Sequence, residues 1–152
     1  MYYFAYGSNH NLQQMKNRCP QAKKIGNSIL HDIQLVFIGD QQGSFASLAM
    51  SEGASTPITI YELTEADVAA LDRIEGVVNG RYRKENWKIR YEGNRIEGFI
   101  YLKNEGVYQV PSDEYIERLL KGYKDQGFDL KTIYLALDLS EKHKGKPCLN
   151  KI

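Results

Sequence analysis

Residues 2–9, Tyr-Tyr-Phe-Ala-Tyr-Gly-Ser-Asn, decide the fold, and a polar segment with helical character follows them over residues 10–18. Bulky aromatic and apolar residues suit a buried, pleated strand, so this stretch predicts a strand at the start of the chain. Gly7 allows a backbone turn that a side chain would block, and Ser8 and Asn9 are residue types that cap helices. The sequence therefore predicts a strand that turns through glycine into a helix N-terminus.

Such a junction is a candidate anion site. The first N–H groups of a helix have no partner within the helix, and together with the helix dipole they attract negative charge. A carboxylate, a phosphate or a developing oxyanion would suit this position. The alternative is an ordinary strand-to-helix connection without a ligand, and the spacing alone leaves both interpretations open.

Length and charge exclude several classes of function. A chain of 152 residues predicts one domain with a substantial core. Its 20 Lys and Arg residues balance 19 Asp and Glu residues, so no overall field attracts nucleic acid or an anionic membrane. We expect a single domain over residues 1–140 and a basic, solvated tail over residues 141–152, with a nucleic-acid contact of that tail as the alternative.

The same survey predicts a protein without membrane, metal or disulfide chemistry. No segment has the length of a membrane span, and the N-terminus lacks the basic region of a signal peptide, so we expect a cytoplasmic protein. Cys19 and Cys148 have no metal-binding spacing and are expected to be reduced thiols, with a disulfide between them as the alternative. The three histidines lie far apart in sequence and form no metal-ligand motif.

The order of the elements predicts an α+β fold. Strand-like runs occur at residues 1–6, 31–38, 43–50, 56–63, 82–92 and 95–104. We expect a hairpin turn at residues 92–94, and loops near Gly43, Gly53 and Pro57. Helices are predicted to begin at Thr64 and Ser112, and Gly127 is predicted to end the second one. The pattern predicts a small, mixed, mainly antiparallel β-barrel flanked by a few helices.

Glu75 is a candidate acid or base. It lies where the first of these helices ends and Gly76 releases the chain. A carboxylate at a helix C-terminus faces the negative end of the dipole, and Ile74 and Val77 beside it are apolar. Both effects favour a raised pKa, which a general base near neutral pH needs. The alternative is that Glu75 points to water or pairs with Arg73 or Arg81.

Together, these segments resemble the γ-glutamylcyclotransferase-like family over nearly the whole chain. The matching segments are YFAYGSN at residues 3–9, GSFASL at 43–48, ITIYELTEADVAALDRIEGV at 58–77, Tyr82, GFIYL at 98–102 and PSDEYIERLLKGYKDQGF at 111–128. The YGSN block followed by the EGV block and Tyr82 is specific, whereas YGSN alone would be weak. The resemblance implies a small β-barrel with a cavity lined by the YGSN loop.

The family resemblance also implies a reaction. Members cleave a γ-glutamyl amide, because the α-amine of the glutamyl unit attacks its own γ-carbonyl and releases 5-oxoproline and a free amine. The resemblance implies no cofactor and no metal. The implied partner is a small-molecule γ-glutamyl amine, whose identity the sequence leaves open together with the oligomeric state. The alternative function is a non-catalytic module that binds a γ-glutamyl or other carboxylate-bearing molecule.

The resemblance assigns roles to particular residues. Glu75 matches the catalytic acid, which would deprotonate the attacking ammonium and then protonate the leaving nitrogen. The substrate-binding positions that it implies are Tyr6, Gly7, Ser8, Asn9, His10, Tyr82, Tyr101 and Tyr115. The backbone N–H groups of residues 7–10 would hold either the α-carboxylate or the γ-carbonyl oxygen. For the four tyrosines, packing in strands or helices is the alternative role.

Overall fold

Six strands and four helices make up the protein, which a computed structural model describes over all of residues 1–152. The strands are β1 Tyr2–Ala5, β2 Lys23–Asp40, β3 Gly43–Glu62, β4 Tyr82–Tyr91, β5 Asn94–Lys103 and β6 Val107–Tyr108. The helices are α1 Leu12–Arg18, α2 Glu65–Ile74, α3 Asp113–Gln126 and α4 Lys131–Lys142. A short 3-10 turn, Ser8–His10, lies between β1 and α1.

The six strands form one curled sheet in the order β4-β5-β1-β3-β2-β6. Only β1 and β5 run parallel, and every other neighbouring pair is antiparallel. The curl brings β4 back towards the start of β2, where the Tyr91 hydroxyl donates to the Ile25 carbonyl at 3.2 Å. The predicted α+β class with a mixed, mainly antiparallel barrel is confirmed, in the form of a half-barrel.

The prediction of two separate strands over residues 43–50 and 56–63 is wrong, because β3 runs unbroken through both. A register shift at His31/Ile33 bends β2 and β3 together. Asp32 and Gly53 both adopt a positive φ there, and the Gly53 N–H donates to Asp32 Oδ1 at 2.9 Å. Gly53 therefore marks a bulge and not a loop, and Pro57 also lies within the strand.

Helix α1 begins later than the sequence predicts. Ser8 and Asn9 do not cap it, since they belong to the 3-10 turn. The cap is Asn11, whose side-chain oxygen accepts from the Gln14 N–H at 3.0 Å. The 3-10 turn thus separates β1 from α1, and the backbone N–H groups of residues 7–9 donate to no protein acceptor.

Local capping chemistry sets the other helix ends, as predicted. Thr64 and Asp67 form a capping box at the start of α2. Ser112 caps α3, which ends at Gly127. The hairpin between β4 and β5 turns at residues 92–93. Helix α4 was not predicted, although Ile133, Ala136 and Ser140 recur at helical spacing and are all buried.

The C-terminal segment is packed on the sheet, which corrects the prediction of a solvated tail. Cys148 is buried, and the Ile152 N–H donates to the Leu48 carbonyl at 3.0 Å. The Lys151 ammonium donates to the Lys103 carbonyl at 2.6 Å. Lys144 and Lys146 remain exposed. The C-terminal segment is therefore hydrogen-bonded to the outside of β3 and β5.

Two apolar clusters flank the sheet and position the cavity between them. The larger packs α3 and α4 against one face through Phe4, Leu35, Leu119 and similar residues. The other packs α1 and α2 through Tyr3, Met15, Leu71 and their neighbours.

Both cysteines are free, buried thiols. None of the four helices combines the length and hydropathy that crossing a membrane would require.

Candidate active site

A cavity of about 230 Å³ lies at the junction of the two clusters. The turn after β1, the end of α2 and the start of α3 all contribute to it, with β3, β4 and β5 forming its floor. Eight of the nine residues that the sequence analysis singled out line this cavity: Tyr6, Gly7, Ser8, Asn9, Glu75, Tyr82, Tyr101 and Tyr115. Segments more than 60 residues apart in sequence therefore meet at one site.

The loop Gly7–Asn9 presents backbone donors to the cavity. The N–H groups of these three residues donate to no protein acceptor, whereas the next N–H, that of His10, donates to the Gly7 carbonyl at 3.2 Å. Buried hydrogen bonds fix the loop: Asn9 Nδ2 donates to the Tyr3 hydroxyl at 3.0 Å, and the Tyr61 hydroxyl donates to the Asn9 carbonyl at 2.8 Å. The free donors are thus held in a rigid frame, as an anion or oxyanion site requires.

Gly7 fits where a larger residue would be crowded. A Cβ at this position would stand 3.2 Å from Ala46 Cβ and 3.6 Å from the Tyr115 hydroxyl. The backbone of the loop therefore lies directly against β3 and α3. This close approach, and not a positive φ, is the physical reason for glycine at this position.

Glu75 ends α2 and faces the same cavity. Its backbone is the C-terminal cap of the helix, and Gly76 then leaves in a left-handed conformation at φ 66°. The side chain is 19% exposed, and its Oε1 lies 4.0 Å from Arg18 Nη1. Burial raises the pKa of Glu75 above its ordinary value, while Arg18 and Arg81 oppose that rise. A carboxyl in this setting can exchange a proton closer to neutral pH than a solvated one.

Tyr82 and Tyr115 bind the backbone of one residue of β3, Ala46. The Tyr82 hydroxyl donates to the Ala46 carbonyl at 2.8 Å, and the Tyr115 hydroxyl accepts from the Ala46 N–H at 3.0 Å. Burial raises the pKa of Tyr82 well above its ordinary value and that of Tyr115 to about 12. Both hydroxyls therefore stay protonated, and Tyr115 keeps its own proton to donate into the cavity.

The hydroxyls of Tyr6 and Tyr101 both donate hydrogen bonds to other groups of the protein. The Tyr6 hydroxyl donates to the Tyr101 carbonyl at 2.5 Å. The Tyr101 hydroxyl donates to Asp72 Oδ1 at 2.6 Å, and Asp72 Oδ2 also pairs with Lys84 at 2.9 Å. These contacts tie β5 to β1 and α2. Both rings still line the cavity wall.

His10 is the one predicted site residue that lies outside the cavity lining. Its ring is fully buried, with Nδ1 2.8 Å from Thr59 Oγ1, and it packs edge-on against Tyr123 and Phe128. Burial lowers the pKa of His10 to about 3, so the ring is neutral. The resemblance implied a substrate-binding position here, but the His10 side chain lies beneath the loop and supports it.

Sequence reasoning missed two arginines that line the cavity, Arg18 and Arg118. Helical spacing could have indicated both arginines, because residues three or four apart lie on the same face of a helix. Arg18 follows Gln14 by four residues, and Arg118 follows Tyr115 by three. The Gln14 amide bonds to Ser8 and Asn9, and Arg118 Nη1 donates to Gln14 Oε1 at 3.4 Å. Arg81, considered earlier as a partner of Glu75, also lines the cavity. No group of three or more His, Cys, Asp or Glu side chains is placed to hold a metal ion.

Comparison with known proteins identifies the family. A family model described as gamma-glutamyl cyclotransferase, AIG2-like, matches residues 3–119. The chain belongs to this family. Gamma-glutamylcyclotransferase of Homo sapiens is 29% identical over 136 residues, which cover 84% of this chain and 72% of the human protein. The resemblance inferred from the sequence, and with it the predicted enzyme class, is confirmed at the level of the family.

Two solved structures share the fold of the chain. A structure named gamma-glutamyl cyclotransferase superposes with a TM-score of 0.76 at 27% identity, covering 96% of this chain and 87% of the other. YkqA from Bacillus subtilis superposes with a TM-score of 0.75 at 19% identity, covering 94% of this chain and 55% of that protein. The second likeness concerns the fold alone.

Proposed function

We propose that this member of the γ-glutamyl cyclotransferase family cleaves a γ-glutamyl amide and releases 5-oxoproline and a free amine. The observation that carries the proposal is the presence of Glu75 and the free N–H groups of residues 7–9 in one cavity. The relatives' name and the family match support the reaction class. No cofactor or metal enters the proposed reaction, and its partner is a small-molecule γ-glutamyl amine.

In the proposed reaction Glu75 transfers protons in both directions. The substrate α-ammonium loses a proton to the Glu75 carboxylate, and the resulting amine attacks the γ-carbonyl carbon. A C–N bond closes the five-membered ring, and the ring nitrogen, which then carries two hydrogens, loses one of them as the amide C–N bond breaks. The protonated Glu75 returns its proton to the leaving nitrogen, which also takes up the second proton and departs as an ammonium. A raised pKa suits both steps, because the same group must accept and then donate a proton.

The loop Gly7–Asn9 is proposed to bind an oxygen of the glutamyl unit. Its three free N–H groups suit either the α-carboxylate or the γ-carbonyl oxygen as negative charge develops on it. Because the attack is intramolecular, holding a reactive conformer supplies a large part of the catalysis. The tyrosines on the cavity wall would restrict the substrate to that conformer.

The alternative is a module that binds a γ-glutamyl or other carboxylate-bearing molecule without reaction. The free N–H groups suit such a ligand equally well, but binding gives no use for a buried carboxyl beside them. The cytoplasm is the proposed setting, which the two free thiols support.

The test is incubation of the purified protein with γ-glutamyl-alanine, γ-glutamyl-ε-lysine and glutathione, with 5-oxoproline scored by mass. Release of 5-oxoproline with an equal amount of free amine would establish the reaction class. Saturable binding of these compounds with no product from any of them would favour the non-catalytic module. If the protein neither binds these compounds nor forms product from them, both functions are contradicted.

A further inference from the structure

The cavity holds more positive than negative charge. Glu75 is the one carboxylate in its lining, whereas three arginines line it: Arg18, Arg81 and Arg118. Arg18 has partners, because its Nη1 lies 4.0 Å from Glu75 Oε1 and donates to Asn9 Oδ1 at 3.1 Å. Arg81 and Arg118 form no salt bridge with any acidic residue of the chain. Two guanidinium charges are therefore available to a ligand.

Arg81 and Arg118 flank one aromatic wall of the cavity. The Arg81 guanidinium lies over the Phe45 ring at 4.3 Å, and that of Arg118 lies 5.6 Å from the centre of the Tyr115 ring. The two rings contact each other edge to face with centres 5.3 Å apart. Stacking on a ring face orients a guanidinium while leaving its edge free for a carboxylate.

Each of these arginines also has a buried N–H without a partner. The Nε atoms of Arg81 and Arg118 are buried and have no hydrogen-bond acceptor in the protein. An unsatisfied buried donor on a charged group is costly, so an acceptor supplied by a ligand would be strongly favoured. Both groups line the cavity, so that acceptor would belong to a molecule bound there.

An outer groove adjoins the cavity at Arg81. This groove has a volume of about 780 Å³ and shares Ile74 and Arg81 with the cavity. Apart from Arg81, the charges of the groove balance: Lys103 pairs with Asp40 at 2.5 Å, and Arg73 and Glu105 carry one charge of each sign. The inner cavity of about 230 Å³ is small for a whole ligand and suits the glutamyl unit. The group bonded to the γ-carbonyl would then lie between the two arginines, beginning at Arg118 in the inner cavity and reaching the groove at Arg81.

Charge balance indicates what that group carries. A γ-glutamyl unit brings one α-carboxylate and one α-ammonium, so its binding leaves the two surplus positive charges unchanged. Transfer of the ammonium proton to Glu75 does not alter the sum. A leaving amine with no carboxylate leaves both charges uncompensated, and one with two carboxylates neutralises them.

We propose that Arg81 and Arg118 form a leaving-group subsite that selects an amine bearing two carboxylates, that is, an acidic amino acid. This inference rests on the proposed cyclotransferase function and names its substrate class. The proposed role differs from that of Arg18, which contacts Glu75 and Asn9 of the loop. Bidentate contact with a carboxylate suits arginine better than lysine, so an Arg81→Lys variant is expected to retain part of the selection.

The test compares γ-glutamyl-glutamate with γ-glutamyl-glutamine, which have similar shapes and differ by one carboxylate. The native protein is expected to show a kcat/KM about tenfold or more higher for the glutamate compound, mainly through KM, as charge-assisted hydrogen bonds imply. Arg81→Gln and Arg118→Gln should each reduce that ratio, and the double variant should bring it close to one. Arg95→Gln, on an exposed position of β5 outside both cavities, is the matched control and should keep the native ratio.

A binding measurement separates failure of the subsite from failure of the reaction. Calorimetric titration of both dipeptides into the Glu75→Gln variant is expected to show tighter binding of γ-glutamyl-glutamate, lost in the double arginine variant. Equal kcat/KM or equal affinity for the two compounds would overturn the subsite while leaving the reaction class standing. If no 5-oxoproline forms from either compound, the proposed reaction fails and the titration alone decides the subsite.

Discussion

Arg18 links the loop after β1 to the end of α2, because its Nη1 donates to Asn9 Oδ1 at 3.1 Å and lies 4.0 Å from Glu75 Oε1. Helix α1 positions this arginine, and Asn11 caps that helix immediately after the loop. The two segments that carry the proposed chemistry are thus coupled electrostatically. Arg18 limits how far burial raises the pKa of Glu75.

Replacing Arg18 with glutamine should shift the pH dependence of turnover. Burial raises the pKa of Glu75 and Arg18 lowers it, so loss of the arginine raises it further. The proposed base must be ionised, and its activity is therefore lost as pH falls through that higher pKa. We expect the acid limb of kcat/KM to move to higher pH. Arg73→Gln, at an exposed position of α2, should leave the limb in place. No movement, or movement to lower pH, would contradict this coupling.

Tyr115→Phe should destabilise the protein without unfolding it. The change leaves the buried N–H of Ala46 without its acceptor, which costs about 1–3 kcal/mol. Urea unfolding followed by circular dichroism measures this free energy. Tyr134→Phe is the control, since Tyr134 on α4 is 55% exposed and its removal should change little. An equal effect of both variants would show that the Ala46 contact adds nothing.

Gly122→Ala should separate α3 from the loop. A Cβ at Gly122 would stand 2.7 Å from Asn11 N and 2.9 Å from His10 Cβ. Helix propensity alone predicts that alanine stabilises a helix interior relative to glycine. Because of the steric conflict, we expect Gly122→Ala instead to lower the free energy of unfolding by about 1–3 kcal/mol. Activity should fall as well, because the loop is displaced. Glu117→Ala, at an exposed position of the same helix, controls for the helical effect. A rise in melting temperature on Gly122→Ala would refute this packing argument.

Deleting residues 147–152 should cost stability, because these residues are bound to the sheet. Besides contacts of the Cys148 and Asn150 side chains, the deletion removes three hydrogen bonds to the sheet: Ile152 N–H to the Leu48 carbonyl, the Lys151 ammonium to the Lys103 carbonyl, and the Met50 N–H to the Asn150 carbonyl. At about 1 kcal/mol each, we expect a loss of roughly 3 kcal/mol by chemical denaturation. The double variant Lys144→Ala and Lys146→Ala removes exposed charge from the same segment and should leave stability unchanged. An unaffected denaturation midpoint in the deletion would mean that the segment is not anchored.

The parts of the site that sequence could predict are those set by local chemistry. Glu75 followed by Gly76 marks a helix end, and Tyr6–Asn9 marks a strand that turns, so both segments could be identified from neighbouring residues. The continuity of β3 could not be predicted from neighbouring residues, because Gly53 and Pro57 are residue types that typically interrupt strands. Only the pairing of β3 with β2 shows that the strand continues through a bulge. Arg18 and Arg118 belong to helices whose relative placement depends on tertiary packing. The anchored C-terminus also depends on distant partners, namely Leu48 and Lys103.

The most direct test of the account is the rate of 5-oxoproline release by Glu75→Gln, measured beside the native protein and a Glu97→Gln control. Glutamine keeps the shape of the side chain but cannot accept and return a proton, and Glu97 is an exposed residue of β5 with no salt bridge. We expect turnover to fall by about 10²–10⁴-fold in Glu75→Gln, with native stability and unchanged control activity. Near-native turnover in the folded Glu75→Gln variant would show that this carboxyl is not the acid and base of the reaction.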